Sequence, residues 1–373
     1  MGRNMSKEIE LAKSLLSPPG DTLQEHLDFI GMNQNELAER MGRPKEKIND
    51  IIKGREPITT ETAYQLEKVL DIPASFWMNR ENEYRQELYE IEHQEALEKQ
   101  KEWANRFPLL DLKKMGFLPD IRSRAKLVEP LLKFFGIASP EEWNRIYVDK
   151  EVSVAFRVSL AHTKNPEALS AWLRIGELEA KKMELPKFDK KRFRASLETV
   201  KELAFEMPDG FEKQLKQICA EAGVALVYTP NLPKAPISGA TRWHQNVPII
   251  QLSGRYKTDD HFWFTFFHEA GHILQHGKKD IFLEELDGAE NDQEKEEEAN
   301  RFAVKWLLPD KQLQEILDIR DARYSDIQAF AEKFRTPIGY IIGRLQHAGY
   351  IHHSEGHDLK RKVDLFDESE GME

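Results

Sequence analysis

The 373-residue chain has one cysteine, Cys219, so no internal disulfide can form. Such usage matches a reducing compartment. It also lacks any apolar run of about 18 residues, the length a membrane helix needs. Its densest apolar stretch, Phe262 to Leu274, is broken by Thr265, His268, Glu269 and His272. The N-terminal segment MGRNMSKEIELAKSLLSPPG has neither a continuous apolar core nor a small-residue cleavage site, so no secretory signal is expected. These absences predict a cytoplasmic protein without a membrane span. Positive charge is in deficit: 54 Lys plus Arg stand against 65 Asp plus Glu, a net charge of −11. A globally basic coat is excluded, and any nucleic-acid surface must be local. Internal repeats and low-complexity tracts are missing as well. With 40% hydrophobic and 32% charged residues, the chain is not a disordered one, and its length predicts two or three domains.

Between Asp21 and Leu70, apolar residues recur at helical spacing and glycines punctuate them. Leu23, Leu27 and Ile30 define one face, ended by Gly31. Leu37, Ala38 and Met41 define the next, ended by Gly42; Ile48, Ile51 and Ile52 a third, ended by Gly54; Ala63, Leu66 and Leu70 a fourth. This pattern predicts four short helices in a compact module. Residues 79–106 read as a continuing, mostly solvated helix. Residues 107–215 read as helical, anchored by Phe134, Phe135, Trp143 and Trp172 and punctuated by prolines. At residue 218 the texture changes. Val224 to Tyr228 predicts a buried strand, and Val247 to Leu252, with Pro248, a second strand near a sheet edge. A hydrophobic helix is expected over about 259–276 and another over about 293–307. The acidic stretch Glu284 to Glu298 reads as a solvated loop and helix face, and the tail after 354 as charged and frayed.

The local basic patch lies in residues 40–55, where Arg40, Arg43, Lys45, Lys47, Lys53 and Arg55 face only Glu46 and Asp50. A helix that buries Ile48, Ile51 and Ile52 leaves Lys45, Glu46, Lys47, Asn49, Asp50 and Lys53 outward. Basic residues there neutralise phosphates, and Asn and Lys reach base edges in a major groove. The spacing, 34–41 and then 44–53, is that of a helix-turn-helix. A plain solvated helical hairpin is the bland alternative. The run NQNELAERMGRPKEKINDIIKGREPITTETAYQLEKVLDIPASFW resembles the phage-repressor-type, XRE-family helix-turn-helix, and more closely that of HigA-type antitoxins, over residues 20 to about 80. The resemblance implies that Gln34 contacts the DNA backbone and that the helix at 44–52 lies in the groove. Pro44 departs from the family's usual Ser or Thr cap, which removes a polar DNA contact.

His268-Glu269-Ala270-Gly271-His272 is an HExxH motif. On a helix, residues i and i+4 share a face, so both imidazoles can converge on one zinc ion. Glu269 can take a proton from attacking water and pass it to a leaving amine. Gly271 lets a neighbour pack closely. The bland alternative, two core histidines satisfied by carbonyls, leaves a glutamate stranded in an apolar helix. A third ligand is needed, and the candidates lie in Glu296-Glu297-Glu298-Ala299-Asn300. Glu296 and Asn300 are four apart, so one could ligate while the other orients a histidine. Glu294, Glu297 and Glu298 read as solvated.

FTFFHEAGHILQHG followed by EEEANRFAVKWLLP resembles the ImmA/IrrE family of zinc metallopeptidase-like domains, over about residues 215–310. The resemblance implies metal ligands at His268, His272 and Glu296, with Glu298 the lesser choice for the third, and Glu269 as general base. It also puts His276 along the cleft and implies that Arg242 and His244 flank it. DIQAFAEKFRTPIGYIIGRLQHAGYI matches the helical end of longer members and is expected to pack rather than touch DNA.

The expected chain is multidomain: an all-α helix-turn-helix domain (20–80), a helical connector (81–215), an α+β zincin-like metallopeptidase domain (216–353) and a charged tail (354–373). The resemblances imply an antitoxin-like transcriptional regulator that binds double-stranded operator DNA as a homodimer. Its Zn2+ endopeptidase domain would cleave a regulatory protein. The alternative is a non-proteolytic antitoxin or repressor whose zincin-like domain only senses a signal or binds a partner such as a toxin.

Overall fold

The computed structural model describes residues 2–147, 165–276, 282–283, 290–319 and 323–366. The chain forms two compact units, one of Met1–Ala104 with Asp120–Glu129, the other of Asn105–Pro119 with Pro130–Glu373. Among the described residues no helix is long and apolar enough to cross a membrane.

The first unit is helical: α1 (Gly2–Leu15), α2 (Pro19–Ile30), α3 (Gln34–Met41), α4 (Lys45–Ile52), α5 (Thr60–Leu70) and α6 (Ala74–Ala104). Local chemistry sets the boundaries. Pro19 opens α2 with a preset φ. Asn33 caps α3 by accepting the Glu36 N–H at 3.0 Å. Gly31 and Gly42 end α2 and α3 in the left-handed conformation. Leu23, Leu27, Leu37, Ile48, Leu66 and Trp77 fill the core. A Cβ on Gly20 would sit 2.1 Å from the Ile52 carbonyl oxygen, so only glycine lets α2 cross the end of α4. Two expectations are corrected here. Ile30 is 42% exposed, because it ends α2; Met32, just past the Gly31 turn, packs on the core instead. Pro44 is the residue before α4 rather than its first residue, so the missing cap is a cap position proper.

The second unit and its approach hold α7 (Leu109–Lys114), α8 (Val128–Phe135), α9 (Pro140–Tyr147), α10 (Pro166–Lys181), α11 (Lys190–Glu206) and α12 (Phe211–Glu221). Four strands follow: β1 (Ala225–Tyr228), β2 (Gly239–His244), β3 (Val247–Leu252) and β4 (Phe282–Leu283). They form a mixed sheet in the order β1-β3-β2-β4, with β1 parallel to β3 and the other pairs antiparallel. The remaining helices are α13 (Asp259–Gln275), α14 (Glu290–Leu307), α15 (Asp310–Leu317), α16 (Tyr324–Phe334) and α17 (Ile338–His347). Phe134, Phe135, Trp143 and Trp172 are all buried. Trp172 on α10 donates its indole N–H to the Thr229 carbonyl, which ties α10 to the sheet. α11 and α12 share one core with α13, through Phe193, Leu197, Leu215, Trp263, Phe266 and Phe267.

β3 is an interior strand, not an edge. Pro248 is its second residue, and the parallel ladder with β1 starts only at Ile249, so the proline falls where a strand tolerates one. The expected acidic loop falls partly on 284–289, outside the described residues, as does the tail beyond 366. The tail up to 366 is docked rather than frayed. Lys362 bridges Thr258, Val363 is buried, and Lys360 reaches Asp260 at 2.6 Å in a pair shielded from water.

Asp259 begins α13 fully buried beside that pair. Burial and the Asp260 charge push its carboxyl up to about 7. The folded chain therefore keeps a proton that the unfolded chain has lost, and stability falls as pH rises between about 4 and 7. Asp259→Asn removes that slope. Its melting temperature is expected to gain on the wild type at pH 8 relative to pH 5. Equal differences at the two pH values would contradict a raised Asp259.

Candidate metal centre and nucleic-acid interface

α13 runs through the core almost wholly buried, and it carries the HExxH residues. His268, Glu269 and His272 are each 1% exposed or less. α14 packs alongside, and Gly271 makes that possible: a Cβ there would meet the Phe302 ring at 3.2 Å. The close crossing presents Glu296 to both histidines, with Oε2 3.0 Å from His268 Nε2 and Oε1 3.4 Å from His272 Nε2. The two Nε2 atoms are 3.0 Å apart. His268, His272 and Glu296 thus form one cluster of metal-type donors.

The outer nitrogens decide what the inner ones can be. His268 Nδ1 lies 2.9 Å from Asn300 Oδ1. His272 Nδ1 lies 2.9 Å from His276 Nδ1, and His276 Nε2 lies 3.1 Å from Glu298 Oε2. One proton arrangement satisfies all three contacts. His268 Nδ1–H donates to Asn300, His272 Nδ1–H donates to His276, and His276 Nε2–H donates to Glu298. In these tautomers the two facing Nε2 atoms are acceptors, and so is the Glu296 carboxylate. Protonating a ring would relieve the clash of lone pairs, but burial pulls His272 down to about 4, against the opposing Glu296 hydrogen bond. Burial raises the Glu296 carboxyl, while a proton on either facing ring would donate to it and draw it down to about 2, so it stays ionised whenever a ring is charged. Neutral imidazoles with an ionised carboxylate are the protonation state that metal ligation requires. A tetrahedral ion bound at about 2.0–2.1 Å separates its ligands by about 3.3–3.4 Å, close to the spacings seen. The cluster therefore fits a cation, and two imidazoles with a carboxylate is a zinc-type set.

The third-ligand alternatives separate in space. Glu296 joins the histidine pair, whereas Glu298 backs His276. Asn300, four residues after Glu296, holds His268, as its spacing allows. Glu269 lies on the side of α13 that faces β2: its carbonyl accepts the Thr241 hydroxyl at 3.0 Å. A Cβ on Gly239 would sit 2.7 Å from Glu269 Oε1 and 2.6 Å from Thr265 Cγ2. Gly239 thus makes the room for the glutamate. Gly239→Ala is expected to displace Glu269 and to cost about 1–3 kcal/mol by overpacking. A thermal melt matching wild type would contradict this packing. Arg242 and His244 do not flank the cluster. Strand alternation turns Gly239 and Thr241 toward α13 and Arg242 toward α10, where its guanidinium reaches the Leu173 carbonyl, and His244 lies 3.5 Å from Glu177.

In the first unit, α3 and α4 form the expected hairpin. Lys45, Glu46, Lys47 and Lys53 are exposed, and Asn49 and Asp50 are half-buried. Lys47 pairs with Glu56 and Asp50 with Arg55, both at 2.5 Å. Such surface pairs contribute about 1 kcal/mol or less, so a phosphate can displace Glu56 from Lys47. Gln34, at the start of α3, donates to Gln24 on α2 at 2.6 Å. Arg43 bonds Gln65 and lies 3.5 Å from Glu61, both on α5, which brackets the start of α4.

Comparison with known proteins matches these two regions separately. A profile described as helix-turn-helix matches residues 30–77. One described as an IrrE N-terminal-like domain, of peptidase family M78, matches residues 219–346. The chain is 34% identical over 76 residues, 20% of its length, to the uncharacterized HTH-type transcriptional regulator YbaQ of Escherichia coli strain K12. The match spans 66% of that relative, slightly less than two thirds. Among solved structures, it is similar to an addiction module antidote protein of a HigA family from Coxiella burnetii, with 28% identity, 24% of this chain and 92% of that one covered, and a TM-score of 0.20. A hypothetical protein from E. coli shows 32% identity over 20% of this chain and 76% of that one, with a TM-score of 0.19. The chain thus joins an N-terminal helix-turn-helix domain to a C-terminal IrrE N-terminal-like domain of peptidase family M78.

Proposed function

We propose that the protein is a DNA-binding transcriptional regulator whose second domain is a zinc-dependent endopeptidase acting on a regulatory protein. The observation that carries the enzymatic half is the convergence of three acceptor atoms, from His268, His272 and Glu296, beside the buried Glu269. The chemistry that a zinc ion supplies in such a set is Lewis acidity toward a carbonyl and a lowered pKa for water. Glu269 takes the proton of the attacking water and delivers it to the leaving amine. Asn300 and His276 hold the imidazoles in the ligating tautomer. Incubation with candidate regulatory proteins, read by mass spectrometry, is expected to give defined fragments that a chelator suppresses. Intact partners throughout, with metal bound, would favour the non-proteolytic reading of a sensing or partner-binding domain.

The DNA-binding half rests on α4 and its flanks, where residues 40–55 carry six basic side chains against two acidic ones in an acidic chain. Operator binding as a dimer follows from the symmetry of such sites. Lys47→Ala with Asn49→Ala is expected to weaken operator binding by about tenfold or more, because the pair removes one phosphate partner and one base-edge partner. Footprints equal to wild type would place the groove-facing surface elsewhere.

A further inference from the structure

A second candidate site lies at the other end of the sheet, beside the edge strand β1. A cavity of 530 Å³ there is lined by Met115, Phe117, Met183 and Tyr228, with Lys216 and Glu179 as its charged residues. That size suits a small molecule. Thioethers and aromatic rings adapt to varied apolar shapes.

The two charges are not equivalent. Glu179 pairs with the exposed Lys182 ammonium at 2.7 Å, and its charge also acts on Lys216. Lys216 is half-buried, and among the described residues no side-chain hydrogen bond or ion pair engages it. Its Nζ lies over the Tyr228 ring, 4.5 Å from the centroid. The Tyr228 hydroxyl is already committed to the Glu212 carbonyl at 3.0 Å. Burial draws the lysine pKa down by more than the nearby Glu179 and Glu212 charges raise it, and neither carboxylate hydrogen-bonds the ammonium. An anionic oxygen would supply what it lacks through a charge-assisted hydrogen bond. Glu179 on the same lining repels polyanions, so a single negative charge suits the site best.

We propose that this cavity binds an amphiphilic carboxylate, with its apolar body against Met115, Phe117 and Met183 and its carboxylate on Lys216. The site is independent of the metal centre, and the proposal stands whether or not the protein is a peptidase.

Decanoate, decanol and acetate titrated into the full chain by calorimetry test it. Decanoate is expected to bind saturably, near one per chain, and decanol about tenfold more weakly, the equivalent of one charge-assisted hydrogen bond. Acetate, without the apolar body, is expected not to bind. Lys216→Met should cost decanoate about tenfold and remove its advantage over decanol, while Lys216→Arg should keep it. Met183→Trp, which fills the cavity, should block both, with circular dichroism reporting that each variant is folded. No saturable decanoate binding to wild type would overturn the proposal. So would equal affinities for decanoate and decanol, or wild-type affinity in both Lys216→Met and Met183→Trp.

Discussion

Glu269→Gln is expected to lower peptide hydrolysis by about two to four orders of magnitude, the usual contribution of a positioned general base, while metal content stays at the wild-type level. The side chain is fully buried and sits one residue after His268, outside the ligand cluster. Glutamine keeps its volume and its fit against Gly239 and loses only the ability to take a proton. The paired readouts separate the possible roles. A variant that cleaves at the wild-type rate would show that Glu269 is not the base. A variant that loses the metal would show that Glu269 ligates.

His272→Ala is expected to abolish stoichiometric metal binding and, with it, hydrolysis. The imidazole supplies one of three donor atoms and carries the link to His276 and Glu298. Alanine leaves His268 and Glu296, two donors, too few for a structural or catalytic zinc site. Glu298→Ala provides the contrast. Its carboxylate touches His276 and not the cluster, so the metal is retained with an affinity lower by about tenfold to a hundredfold. Equal metal loss in the two variants would move the third ligand from Glu296 to Glu298.

Signals that live within one or two helical turns are readable from the chain. The glycine stops at Gly31 and Gly42, the buried face of α4 and the i, i+4 pairing of His268 with His272 all belong to single helices, where spacing fixes orientation. Asn300 is within reach for the same reason, as it follows Glu296 by one turn. Relations between elements require the fold. Gly239 lies 30 residues before Glu269 in sequence, and only the packing of β2 on α13 brings them together. Arg242 and His244 lie on the same strand as Gly239, but strand alternation turns them to the opposite face. Pro248 suggests an edge because its missing donor is visible in the sequence, whereas the late start of the β1 ladder is not. Lys360 looks like one charge among many in a polar tail until Asp260 is placed beside it. Ile30 has the right period for the core, and α2 ends too soon to bury it.

Whether His268, His272 and Glu296 hold a catalytic-type metal decides the reading of the second domain. Inductively coupled plasma mass spectrometry of the purified full chain measures this without a substrate. About one zinc per chain is expected, as for a single three-donor site. A chain that stays free of metal after incubation with zinc would contradict the assignment of these three residues as ligands.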